Sequence, residues 1–149
     1  MKKSPILLTI AVILALATLY IKYYPTKSLT SIVSLHAIEE TSIMAYDRQH
    51  PTYATLTSAE QVLFNQLTAE LSVQKKLVKT TDVNRQYEIT MKRPTSAYDE
   101  QLTIINDDTL LYYPVEYNDN MAKRSTKPRY YSIKNGEALM AFLQSLETK

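Results

Sequence analysis

The stretch QYEITMKR, residues 86 to 93, carries the clearest fold signal in the chain. Apolar and polar side chains alternate strictly from Tyr87 to Lys92. A period of two is what a β-strand shows when one of its faces lies on an apolar core and the other meets water. The stretch therefore predicts a strand in a sheet that is covered on one face.

The segments that follow predict more of the same sheet. Residues 101–106 (QLTIIN) and 109–113 (TLLYY) flank Asp107-Asp108, whose short polar side chains tolerate turn geometry, so we expect a tight hairpin. Residues 114–128 are interpreted as a long polar connection, and residues 130–133 (YYSI) as a last strand.

The segments before residue 86 are less regular. Residues 31–38 (SIVSLHAI) and 41–46 (TSIMAY) are rich in β-branched and apolar residues, which fits two strands in a hairpin or one longer irregular strand. Residues 47–55 break this pattern around Pro51 and predict a loop.

The clearest helix start lies at Thr57, where Glu60 completes a capping box. Apolar residues then recur at helical spacing, and we expect the helix to end between Ser72 and Val78. Its apolar face is predicted to lie on the sheet and comprises Val62, Leu63, Phe64, Leu67 and Leu71.

A second helix is predicted over residues 137–146, after a turn at Asn135-Gly136. Its apolar residues share one face: Leu139, Phe142, Leu143 and Leu146. The elements together predict an α+β fold, with an N-terminal transmembrane helix followed by one small domain. That domain has a four- or five-stranded, mostly antiparallel sheet and two packed helices.

The N-terminal stretch PILLTIAVILALATLYIKYYP, residues 5 to 25, predicts a membrane span. Residues 5–21 carry no charge and would extend roughly 25 Å as a helix, at the short edge of what a bilayer needs. Lys2 and Lys3 precede the run, which favours a cytoplasmic N-terminus. We expect an anchor at residues 1–24, a short stalk at 25–30 and an extracytoplasmic domain at 31–149.

A secretory signal is the alternative for the same stretch. Ala15-Leu16-Ala17 fits the small-x-small pattern of a cleavage site, and cleavage after Ala17 would yield a secreted protein. Apolar character continues through Leu19 and Ile21 without a polar stretch before the site, which favours an uncleaved tether in the cell membrane. Either interpretation predicts export of the domain.

Composition excludes several function classes. The chain has no cysteine, so a lipid on a cysteine, disulfides and cysteine-ligated metals are all excluded. Gly136 is the one glycine, so a glycine-rich phosphate loop is absent and we expect no nucleotide cofactor. From Pro25 onward, 14 basic residues face 15 acidic ones, which argues against nucleic-acid binding.

Two histidines are the candidates for catalysis or metal binding. His36 and His50, with Glu39 or Glu40, could form a metal or acid–base cluster of a small exported hydrolase or metal-dependent enzyme. No spacing in the sequence fixes such a geometry, and loop histidines are ordinarily solvated. We therefore expect no catalytic residue, no metal site and no enzymatic activity.

The stretch MAKRSTKPR, residues 121 to 129, is the candidate binding segment. Cations on one loop can hold anionic lipid headgroups, at roughly 1 kcal/mol each near a charged surface, or the phosphates of a cell-wall polymer. A solvated loop, partly neutralised by the acidic segment before it, is the alternative. The candidate residues are Lys123, Arg124, Lys127, Arg129 and Lys134.

The order of elements resembles that of small uncharacterised membrane-anchored extracytoplasmic proteins of Gram-positive bacteria. Three stretches carry this resemblance of layout: QYEITMKR, LTIINDDTLLYY and RYYSIKN. It implies placement outside the cytoplasm and no assigned activity. We expect a membrane-tethered interaction or sensing module, whose partner is a membrane protein, an exported peptide, or an anionic lipid or cell-wall polymer.

Overall fold

The computed structural model describes residues 5–35, 37–46, 51–76, 82–94, 98–118, 121–125 and 127–147. The helices are α1 (Pro5–Tyr23), α2 (Ser58–Glu70) and α3 (Glu137–Leu146), and a 3-10 turn spans Leu29–Ser31. The strands are β1 (Thr26–Ser28), β2 (Glu40–Tyr46), β3 (Pro51–Thr55), β4 (Ser72–Lys75), β5 (Gln86–Lys92), β6 (Glu100–Ile105), β7 (Thr109–Tyr112), β8 (Val115–Asn118), β9 (Met121–Arg124) and β10 (Arg129–Ile133).

Eight of these strands form one antiparallel sheet in the order β1-β4-β10-β7-β6-β5-β2-β3. The α+β class is confirmed, whereas the predicted count of four or five strands was wrong. The additional strands β1, β3 and β4 are only three to five residues long, too short for an alternating pattern to stand out.

Strand β5 lies inside the sheet, as its alternation predicted. Ile89 is paired with Ile43 of β2 and with Leu102 of β6, so the three side chains share one face. Tyr87, Ile89 and Met91 are buried. The face that they form carries the core, which the helices α2 and α3 complete.

Helix α2 starts as predicted. The backbone N–H of Thr57 donates to Glu60 Oε2 (2.8 Å), and the N–H of Glu60 donates back to Thr57 Oγ1 (3.4 Å). Its buried face differs from the prediction, because Val62 and Leu63 are 59% and 44% exposed while Phe64 is fully buried.

The predicted end of α2, between residues 72 and 78, was also wrong. The helix ends at Glu70, and β4 begins two residues later. Asn135 produces this sharp stop, since its amide donates to the carbonyl of Glu70 (2.8 Å) and its Oδ1 accepts from the N–H of Ser72 (2.6 Å). Because Asn135 is distant in sequence, local propensity could not show the stop.

Helix α3 has the predicted bounds and the predicted apolar face. Leu139, Leu143 and Leu146 are buried, and Phe142 is half-buried against Phe64 of α2, with ring centroids 6.4 Å apart. The two helices thereby pack on each other as well as on the sheet.

Four loop, strand or stalk predictions differ from the structure. The segment predicted as a stalk, 25–30, contains β1, which pairs with β4. Of the segment 31–38, predicted as a strand, Ser31 ends the 3-10 turn, and the described residues 32–35, 37 and 38 are irregular chain, with Val33 buried. The loops predicted at 47–55 and 114–128 contain β3 and the β8–β9 hairpin, respectively. Strand β1 depends on pairing with the distant β4, whereas β3 and the β8–β9 hairpin pair with strands next to them in the chain and are too short to show a clear alternating pattern.

Helix α1 stands apart from the core. Residues Ile6–Tyr23 form an 18-residue window of mean hydropathy 2.2, and none of it is buried. The helix is thus long and apolar enough to cross a membrane or to act as a signal sequence.

Candidate functional site

A cleft of about 350 Å³ lies where helix α1 meets the sheet, and we call it the junction cleft. Residues from α1, the 3-10 turn and strands β1, β4 and β10 line it. They are Ile21, Lys22, Pro25, Lys27, Ser31, Ile32, Val73, Lys75, Arg129 and Tyr131. Val73 and Tyr131 also belong to the core, so the cleft is built directly on the packed interior.

Three of the cleft's four cations come from neighbouring strands, and we call them the cation row: Lys27, Lys75 and Arg129. Lys27 lies opposite Val73, and Lys75 follows Val73 by two residues on β4. Lys75 lies opposite Tyr131, and Arg129 precedes Tyr131 by two residues on β10. Directly paired residues and residues two apart share a face, so the row crosses the sheet diagonally on its helix-bearing face.

The C-terminal end of α1 supplies the fourth cation, Lys22, and is attached to β4. The side-chain amide of Gln74 donates to the carbonyl of Tyr24 (2.8 Å). The Nζ atoms of Lys22 and Lys75 lie 5.6 Å and 5.2 Å from the ring centre of Tyr23. Both distances suit a cation over an aromatic face, so Tyr23 holds two ammonium groups at one side of the cleft.

The described lining of the junction cleft carries a net positive charge. No aspartate or glutamate is among its described lining residues. The ion pairs found among the described residues join other partners, such as Lys76 with Asp108, Lys92 with Glu40 and Arg93 with Glu100. The negative pole of the α1 C-terminus favours Lys22 at its position. Such a site can hold an anion, and its apolar lining can accept hydrocarbon next to it.

The structure brings one of the five predicted binding cations, Arg129, into the junction cleft. Arg124 is directed elsewhere: its guanidinium donates to Gln101 Oε1 and to the carbonyl of Asp99, both at 2.6 Å, and thereby fixes β9 against β6. Lys123, Lys127 and Lys134 are exposed. The segment 121–129 is therefore divided between two strands with different surroundings.

Sequence reasoning missed the other three cations of the cleft. Lys22 falls within the segment predicted as an anchor, 1–24, and Lys27 within the segment predicted as a stalk, 25–30. Lys75 was placed at the end of a helix, although it lies in β4. The one local signal for Lys75 is that it follows Val73 by two residues, as a neighbour on the same face of a strand does. A strand of four residues is too short for this alternation to be recognised.

The histidines of the alternative enzyme hypothesis, His36 and His50, lie outside the described residues. Of the carboxylates proposed to join them, Glu40 accepts a hydrogen bond from Lys92 Nζ (2.6 Å) on the neighbouring strand. Within the described part of the chain, no group of three histidine, cysteine or acidic residues is placed to hold a metal ion.

A second charged cluster, at the rim of the core, is closed to ligands. Arg93 Nη2 lies 3.1 Å from Glu100 Oε1, with the two side chains 14% and 10% exposed, and also donates to the carbonyl of Ser34. Tyr112 donates to the other Glu100 oxygen (3.2 Å). Burial, followed by the charge of Glu100, raises the pKa of Tyr112 to about 12. This cluster ties the irregular segment after the 3-10 turn to the sheet.

No protein-family model matches the chain, and neither a curated protein nor a solved structure is significantly similar to it. The resemblance of layout described above therefore stays a prediction. Any functional conclusion depends on the chemistry of the site itself.

Proposed function

We propose that the protein is a membrane-tethered, extracytoplasmic binding module. In this proposal α1 crosses the cell membrane with its N-terminus in the cytoplasm, and the sheet domain stands outside and engages an anionic partner at the membrane surface. The observation that carries the proposal is the junction cleft, because it places four cations at the base of the apolar helix.

The flanks of α1 support this orientation. Lys2 and Lys3 precede the apolar run, and the positive-inside rule relates such charges to the cytoplasmic side. Tyr20, Tyr23 and Tyr24 lie at its C-terminal end, where an aromatic belt would meet the headgroups. Only two residues separate α1 from β1, so the domain would stand directly on the membrane surface.

Binding accounts for the lining of the cleft better than catalysis does. The described lining offers cations, aliphatic side chains, one serine and one tyrosine. It includes neither a carboxylate nor an imidazole, the groups that most often move protons in catalysis. Cations beside apolar surface are suited to recognising an anion that arrives from a membrane or a cell wall.

The test is the intact mass of the full chain recovered from membrane and soluble fractions of the expressing bacterium. We expect the full-length mass in the membrane fraction. We also expect protease added to wall-free cells to digest the domain while a cytoplasmic marker stays intact. A mass beginning at Thr18 in the medium would contradict the tether, and a protease-protected domain would contradict the orientation.

A further inference from the structure

We infer, on the basis of the function proposed above, that the junction cleft binds the phosphate-bearing headgroup of an anionic phospholipid. The lipid belongs to the leaflet at the C-terminal end of α1. Its phosphate lies among the cations of the cleft, and its acyl chains follow the apolar surface of α1.

The spacing of the cation row fits a phosphate group. Lys27 and Lys75 are diagonal neighbours across the β1–β4 pair, and Lys75 and Arg129 across the β4–β10 pair. Diagonal neighbours on adjacent strands lie about 7–8 Å apart, which side chains as long as lysine and arginine can bridge through one shared anion. Arg129 adds a planar fork of N–H donors that matches two phosphate oxygens.

The cleft continues onto the surface of α1, which favours a lipid over a soluble anion. Ile21 lines the cleft and is 72% exposed, and the preceding turns of α1 expose further apolar side chains. Pro25 and Ile32 extend this apolar surface within the cleft. A soluble phosphate would use the cations alone, whereas a phospholipid would use the cations and the adjoining hydrocarbon surface.

The attachment of α1 to β4 fixes the cations of the cleft in position relative to the apolar surface of α1. Tyr23 holds the ammonium groups of Lys22 and Lys75, and Gln74 binds the carbonyl of Tyr24. A tether with this geometry presents the cleft at headgroup height, where lipid is present at high local concentration. The site therefore needs little intrinsic affinity to be filled.

The experiment compares the full-length protein in nanodiscs of phosphatidylcholine with and without phosphatidylglycerol. Native mass spectrometry after release counts the phosphatidylglycerol molecules that stay bound. The cleft variant is K75Q/R129Q, and the matched control is K123Q/K127Q, which removes the same charge from exposed positions outside the cleft. We expect one retained phosphatidylglycerol on the wild type and the control, with occupancy at least about tenfold lower on the cleft variant.

A parallel arm measures binding of a soluble glycerol-phosphate polymer to the same proteins in phosphatidylcholine alone. Equal retention of phosphatidylglycerol by both variants, or none by the wild type, overturns the lipid inference. If the wild type retains no lipid but binds the polymer, and the cleft variant does not, the proposed anion-binding function still holds. If neither the lipid nor the polymer binds, the lipid inference and the proposed anion binding both fail.

Discussion

The helix-bearing face of the sheet divides into two regions of opposite character. Over β2, β5, β6 and β7 it is filled by side chains such as Ile89 and Leu110, which the helices α2 and α3 cover. Over β1, β4 and β10 the same face carries the cation row beside the buried Val73 and Tyr131. Alternation assigns both sets of side chains to one face, but α2 and α3 cover the first region, whereas the cation row lines an open cleft.

Substitutions in the region that α2 and α3 cover should lower the free energy of unfolding most. Phe64→Ala is the most severe test of this expectation. Phe64 is fully buried between α2 and the sheet and packs on Phe142. We expect the free energy of unfolding to fall by about 3–5 kcal/mol, measured by chemical denaturation, because the variant leaves a cavity. The neighbouring Leu63→Ala, at an exposed position, should change it by less than about 1 kcal/mol. Equal losses would contradict the burial described for α2.

The charged cluster of Arg93, Glu100 and Tyr112 should show the next largest effect on the free energy of unfolding. Glu100→Gln leaves the largely buried Arg93 without its counter-charge, and we expect a loss on the order of 3 kcal/mol. Glu40→Gln is the matched control, because the Glu40–Lys92 pair is 42% and 52% exposed and should contribute under about 1 kcal/mol. Denaturation curves of both variants at neutral pH give the two losses in unfolding free energy. An equal loss in Glu40→Gln would contradict the special role of the buried pair.

Alkaline pH probes the same cluster through the ionisation of Tyr112. The folded-state pKa of Tyr112, about 12, lies above its ordinary value of 10.0, so folding favours the neutral phenol. The stabilisation that Tyr112 contributes to the free energy of unfolding is fully present below pH 10. It is lost as the pH rises from 10 to 12, at up to about 1.4 kcal/mol per pH unit. Tyr112→Phe removes this titration and should show a shallower decline in unfolding free energy. Identical slopes for the two proteins would contradict the assignment.

The cation row should affect stability least. Arg129→Gln is expected to change the unfolding free energy by no more than about 0.5 kcal/mol, because the side chain has no ion-pair partner among the described residues. At low salt a small gain is expected, since a like charge leaves the row. A loss as large as that of Phe64→Ala would mean that Arg129 belongs to the core rather than to a ligand site.

The parts of the fold that sequence could predict are those with enough residues to show a period. The seven-residue β5, the hairpin of β6 and β7, the capping box at Thr57 and the apolar face of α3 are all confirmed. The short strands β1, β3 and β4 were missed, because three to five residues show no clear period, and β1 and β4 also depend on partners distant in the chain. The end of α2 was misplaced because Asn135, which is also distant in the chain, stops the helix.

The candidate site was less predictable than the fold. The sequence drew attention to Arg129 through a local run of cations, but the cleft combines it with Lys22, Lys27 and Lys75 from distant segments. Their meeting depends on the order β1-β4-β10, in which the first strand and the last strand of the sheet both flank β4. A local pattern contains no information about that order.

The position of β10 also sets a sequence of events during synthesis. In the described sheet, β1 and β4 connect to the other strands through β10, which is the last of the described strands to leave the ribosome. The roughly 54 residues between Lys75 and Arg129 take about 3–11 s to translate at 5–20 residues per second. A lone two-stranded ribbon is marginally stable, so β1 and β4 must wait through this interval. The junction cleft is therefore completed only when β10 pairs with β4.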